Sequence, residues 1–159
     1  MSRLQNIFEN LELYCTKHQK YFEIYEEILS KYVDEKVVVV EIGVLSGGSL
    51  LMWKKFFGEK ARIIGIDLNE KAKELEKYGF EIFIGDQSKP EFWKTFFSKI
   101  GPIDILIDDG GHSNSDQIIT TAIFRFINRK DMMEFRESLE GQQNLIALNI
   151  NNVNSTAIF

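Results

Sequence analysis

The chain has 159 residues, 44% of them hydrophobic and thirteen of them phenylalanine, enough apolar material for the core of one domain. Its formal net charge of −5 disfavours nucleic acid or an anionic membrane surface as a partner. The single cysteine, Cys15, excludes an internal disulfide and a CxxC metal pair, which suits a reducing, cytoplasmic setting. The first residues lack the continuous apolar stretch expected of a signal peptide, and no run approaches the ~18 apolar residues of a membrane span.

Residues 4–32 carry apolar side chains at helical spacing. Leu4, Ile7, Phe8, Leu11, Tyr14 and Cys15 form one stripe. Tyr21, Phe22, Tyr25, Ile28, Leu29 and Tyr32 form a second, with a break expected within residues 16–19. The pattern predicts a helical cover over residues 1–36, packed on a sheet. In a second reading, His18, Tyr21 and Tyr25 line the mouth of a site.

From Val37 the texture changes. Four successive valines lead into Glu41, a glycine-rich turn and an apolar segment. This is the pattern of a strand buried on both faces, a tight turn and a helix. VVVVEIG precedes a helix near residues 47–57, and RIIGIDL (62–68) precedes one near 70–77. FEIFIGD (80–86) precedes a helix near 90–98, with Pro90 at a first helical position. IDILIDD (103–109) precedes one near 114–126. Strands alternating with helices predict right-handed βαβ units, hence an α/β fold with a mostly parallel sheet over residues 37–126. The asparagine-rich tail, residues 127–159, offers one helix over 131–139 and one short strand over 145–150. No linker divides the chain, so a single domain is expected.

Open parallel sheets bind ligands beyond the carboxyl ends of their strands. The predicted strands end in Glu41, Asp67, Asp86 and the pair Asp108 and Asp109. Acids at strand ends also cap the next helix, but four strands delivering carboxylates to one edge point more strongly to a binding site. Such a rim repels a pyrophosphate, which seeks backbone N–H groups and little negative charge. The turn from Gly43 to Gly48 also departs from GxGxxG, because Leu45 stands where close pyrophosphate approach needs a glycine. A Gly-Lys-Ser/Thr phosphate loop is absent. A cofactor with a sulfonium, an ammonium and a ribose diol suits the carboxylates, and S-adenosylmethionine is such a molecule.

ExGxxxG at residues 41–47, an acid ending the second strand and GDQS (85–88) resemble class I S-adenosylmethionine-dependent methyltransferases. HQKYFEIYE (18–26), EIGVLSGGSLLMWKKFFG (41–58), RIIGIDL, IFIGDQS and DILIDDGGH (104–112) follow in order. Together they resemble the metal-dependent macrolide sugar O-methyltransferases of the mycinamicin type, a family that includes cephalosporin hydroxylase-like proteins, over about residues 15–125. The resemblance implies a Rossmann-like sheet. It implies that Gly43 and Gly47 pass close to the methionine part of S-adenosylmethionine and that Glu41 lies beneath it, near the amino group. It implies that Asp67 holds the ribose hydroxyls, that Asp86 and Gln87 reach the adenine, and that Asp108 faces the methionine end. Asp109 would be a metal ligand, for Mg²⁺, and His112 the general base that deprotonates the acceptor hydroxyl.

The chemistry of this last pair has its own physical basis. A sugar hydroxyl is a weak nucleophile near neutral pH; a divalent cation lowers its pKa, and a histidine in hydrogen-bond reach takes the proton. The glycines of DDGGH would let an acid and an imidazole face one cavity. The other reading of His112 is a cap at a helix entry. Beyond Ile127 the resemblance breaks. The family's Gly-Gly turn, further strand and terminal Glu-Asp pair have no counterpart, since residues 145–150 run into asparagines. Incomplete C-terminal strands, a half-built metal site and a truncation or reading-frame change near that point are the corresponding expectations. The expected activity is O-methylation of a hydroxyl on a sugar or glycosylated small molecule. The alternative is a cofactor-binding module without catalysis, and Leu45 disfavours a nicotinamide-linked oxidoreductase. The aromatic N-terminal helices offer a surface for a homo-oligomer.

Overall fold

The computed structural model describes residues 2–17, 20–101, 103–110 and 146–149. The valine run forms β1 (Val38–Ile42), buried at every position but the first. A strand apolar on both faces requires neighbours on both sides and cover above and below. β1 has them: it pairs in parallel with β2 (Arg62–Asp67) and with β4 (Ile105–Asp108). β3 (Glu81–Ile84) adds to β2, and β5 (Ile146–Asn149) adds to β4, both in parallel. The order β3-β2-β1-β4-β5 reverses its direction of growth between β1 and β4. That reversal is the topological switch point at which open sheets of this Rossmann-like kind bind ligands. The expected parallel α/β sheet is therefore present, including the short strand expected over residues 145–150.

Side-chain alternation sorts the strands between two layers. Val39, Ile63, Ile82, Ile105 and Ile107 cluster with Leu4, Phe22, Leu29, Leu50, Trp53 and Phe56. These partners come from α1 (Arg3–Glu9), α2 (Lys20–Leu29) and α3 (Gly48–Phe57). Val40, Ile42, Ile64, Ile66 and Leu106 cluster instead with Trp93, Phe96 and Ile100 of α4 (Pro90–Ile100). Each fully buried large side chain contributes about 2 kcal/mol by leaving water. Pro90 occupies the first turn of α4, as expected, and Gly101 ends the helix with φ +74°.

Three expectations are corrected. The first apolar stripe is not one helix through Cys15: α1 ends at Glu9, and residues 11–17 are irregular. Asn10 stops it, its Nδ2 donating to the Asn6 carbonyl at 2.8 Å in place of a further backbone turn. The segment near residues 70–77 is a 3₁₀ helix, Glu70–Tyr78, rather than an α-helix. Its only buried residues, Ala72 and Leu75, are three apart, which matches a three-residue turn. Tyr25 does not line a site mouth; it is 2% exposed and packs edge-on against Trp53 at 5.1 Å. Tyr21 lies beside it on α2, with its ring centroid 6.1 Å away. The helices expected over 114–126 and 131–139 lie outside the described residues, as does His18.

Candidate functional site

The turn after β1 is built by left-handed backbone. Gly43 has φ +80°, Leu45 φ +45° and Gly47 φ +80°. The Gly43 N–H donates to the Ile66 carbonyl at 2.8 Å, and the Gly47 N–H to the Val44 carbonyl at 2.7 Å. A Cβ on Gly43 would strike the Asp109 carbonyl and the Gly110 backbone, so the glycine lets the chain leaving β4 pass beside the turn. A Cβ on Gly47 would lie 2.7 Å from Leu75 Cδ2. Backbone contact thus requires glycine at 43, and the left-handed φ favours it at 47, whatever else approaches them.

The strand-end acids lie along the carboxyl edge of the sheet, each with partners of its own. Asp67 accepts from the Val44 N–H at 3.0 Å and from the Asn69 N–H at 2.8 Å, so one carboxylate ties the glycine turn to the start of the 3₁₀ helix. It lines a cleft of about 320 Å³ with Leu13, Leu45, Ser46, Asn69 and Tyr78. Asp86 accepts from the Ser88 N–H at 2.9 Å. The Ser88 side chain, and then its backbone, hold the Asp86 carboxyl below the usual range. Gln87 turns inward: it is 8% exposed, and its Nε2 donates to both oxygens of Asp108 at 3.3 Å. Its carbonyl accepts from Trp93 Nε1 at 2.8 Å, which anchors the loop to α4. Asp108, 3% exposed, also accepts from the Gly110 N–H at 3.2 Å.

Glu41 lies on the opposite face of the sheet and is fully buried. One oxygen accepts from Ser49 Oγ at 2.5 Å and the other from Lys17 Nζ at 3.1 Å. Lys17 also donates to Asp109 Oδ2. The Lys17 side chain is 2% exposed and that of Asp109 28%. Burial works to neutralise the ammonium, but Glu41 and Asp109 outweigh it and hold its pKa above the usual lysine range. The Tyr25 hydroxyl has no hydrogen-bond partner among the described residues. Burial pushes that phenol up; Lys17 opposes the shift, and Glu41 and Asp109 add to it.

Sequence reasoning placed Glu41, Asp67, Asp86, Asp108 and Asp109 at one edge, and the structure brings them there. It missed Lys17 and Ser49. A signal existed: Lys17 is the only lysine or arginine between Arg3 and Lys20, and an edge of five acids calls for a cation. His112 lies outside the described residues. Asp67 fits a diol, since each of its oxygens accepts one N–H and keeps a second lone pair. The described residues do not fit a divalent cation as they stand. No three of His, Cys, Asp and Glu gather among them, and an ammonium holds the carboxylate of Asp109.

No family model matches the chain. Curated relatives do. It is 38% identical over 99 residues to the 8-demethyl-8-alpha-L-rhamnosyl tetracenomycin-C 2'-O-methyltransferase of Streptomyces olivaceus, covering 58% of this chain and 26% of the relative. It is 37% identical over 97 residues to the demethylmacrocin O-methyltransferase of Streptomyces fradiae, covering 57% and 24%. It is 37% identical over 98 residues to the mycinamicin VI 2''-O-methyltransferase of Micromonospora griseorubida, again covering 57% and 24%. Among solved structures, the MycE methyltransferase of the mycinamycin biosynthetic pathway, in complex with Mg and SAH, superposes with a TM-score of 0.63 at 31% identity. That likeness covers 76% of this chain and 32% of MycE. The chain thus spans about a quarter of the length of these curated relatives. Over that span it resembles the macrolide-type sugar O-methyltransferases in sequence and in fold, and its sheet is the Rossmann-like sheet of class I methyltransferases.

Proposed function

We propose that this chain binds S-adenosylmethionine and serves the transfer of its methyl group to a hydroxyl of a sugar or glycosylated small molecule. The observation that carries the reading is Asp67. Its carboxylate sits at the end of β2, faces the cleft and is aimed by hydrogen bonds from Val44 and Asn69. A ribose diol is the ligand group that two aligned carboxylate oxygens accept from. The acidic edge favours a sulfonium over a pyrophosphate. The relatives' activities agree, and the MycE structures hold SAH, Mg and, in one, mycinamycin VI.

In this reading the cofactor supplies an activated methyl group, and the chain's own residues bind and orient it. Glu41, fully buried and held by Lys17 and Ser49, acts on the methionine end through its field rather than by direct contact. His112 takes the proton of the acceptor hydroxyl. Mg²⁺ at Asp109 does not fit this arrangement among the described residues, because Lys17 holds that carboxylate.

Calorimetric titration of the purified chain with S-adenosylhomocysteine, S-adenosylmethionine and NAD tests the proposal. Both adenosyl ligands should bind, and Asp67→Asn should weaken them about tenfold, the lower end of a charged hydrogen bond's value. Binding of NAD alone would overturn it. His112→Ala should leave cofactor affinity intact and abolish methyl transfer; cofactor binding with no transfer in either protein would favour the non-catalytic module.

A further inference from the structure

We propose that the ammonium of Lys17 is the resident cation of this site. It positions Glu41 and Asp109, and it takes the Asp109 oxygen for which a divalent cation would compete. Lys17 comes from the irregular segment between α1 and α2, far from either acid in the chain, yet it bonds to both. The segment is fixed just before it. A Cβ on Gly48 would strike the Tyr14 carbonyl and lie 2.8 Å from Cys15 Cβ, so the strap runs against the first turn of α3. An ammonium this buried persists only where charged partners meet it. Both partners are present, and Ser49 meets the second oxygen of Glu41, so each oxygen of this buried carboxylate already has a donor.

A second argument points the same way. A hard divalent cation takes oxygen ligands and is repelled by a neighbouring ammonium, so it and Lys17 compete for Asp109.

Manganese, Mn²⁺, is the probe, its affinity for the full chain read by electron paramagnetic resonance. In the wild type, Asp109→Asn should change that affinity less than threefold. In Lys17→Met/Glu41→Gln, which removes one charge of each sign and keeps a partner for Ser49, affinity should rise about tenfold. Adding Asp109→Asn should abolish the gain. Lys17→Arg, which keeps the cation, should behave as the wild type. A loss of threefold or more on Asp109→Asn in the wild type would overturn the proposal, and so would a gain below threefold in the double variant or one that survives Asp109→Asn. The Asp109→Asn comparison stands even where a Lys17 variant fails to fold. Titration of the wild type with S-adenosylhomocysteine runs alongside. Its failure would sink the proposed function and leave the Mn²⁺ comparison readable.

Discussion

Glu41 and Asp108 stand on adjacent strands, both buried, one on each face of the sheet. Donors of different kinds meet them. Asp108 is met by neutral donors from nearby loops, the Gln87 amide and the Gly110 N–H. Glu41 is met by a hydroxyl from the next helix and by an ammonium delivered from the N-terminal strap. The side of the site that holds Glu41 thus depends on a segment outside the βαβ core. The N-terminal residues are more than a lid on apolar surface: they contribute a charge to the functional edge.

The largest expected effect comes from removing that charge. Lys17→Met leaves Glu41 without its counter-ion and should cost about 3–5 kcal/mol in urea unfolding. A loss below about 1 kcal/mol would show that the strap's cation is dispensable. On the other face, Gln87→Leu strips an amide from Asp108 and leaves the Gly110 N–H in place. It should cost about 1–3 kcal/mol. A cost equal to that of Lys17→Met would erase the contrast between the two acids. The mildest probe leaves the sequence intact. Burial raises the Cys15 thiol to about 11, against an opposing pull from Lys17. Iodoacetamide at pH 8 should therefore alkylate the folded chain roughly a hundredfold more slowly than the unfolded one. The raised value also fixes the sign of the linkage. The neutral thiol's contribution to stability is complete below the ordinary thiol pKa and is lost as pH climbs towards 11. Equal alkylation rates would mean that Cys15 is not held against α3.

What could be read from the sequence was what local chemistry determines. The valine run, the alternation of strand and helix through α4, and the acids at strand ends depend on near neighbours, and these appear among the described residues. The Gly43 turn was legible as a close approach, but its partner, the Asp109–Gly110 backbone, was not, since it is set by the pairing of β1 with β4. The partners of Lys17 were illegible for the same reason: an acidic edge calls for a cation, but nothing in TKHQ says that this side chain meets an acid 92 positions away. The first helix was overread because Leu11, Tyr14 and Cys15 kept helical spacing. Asn10 and the docking of the strap on α3 overrode that spacing.

Leu45 carries a left-handed backbone without being a glycine, and 71% of its surface is exposed beside the cleft. That conformation costs an ordinary side chain of order 1 kcal/mol. Here the cost falls on folding, met by the hydrogen bonds that tie Val44 to Asp67 and to Gly47. A ligand entering the cleft therefore meets a loop that is already preorganised, and its association spends little on ordering the protein.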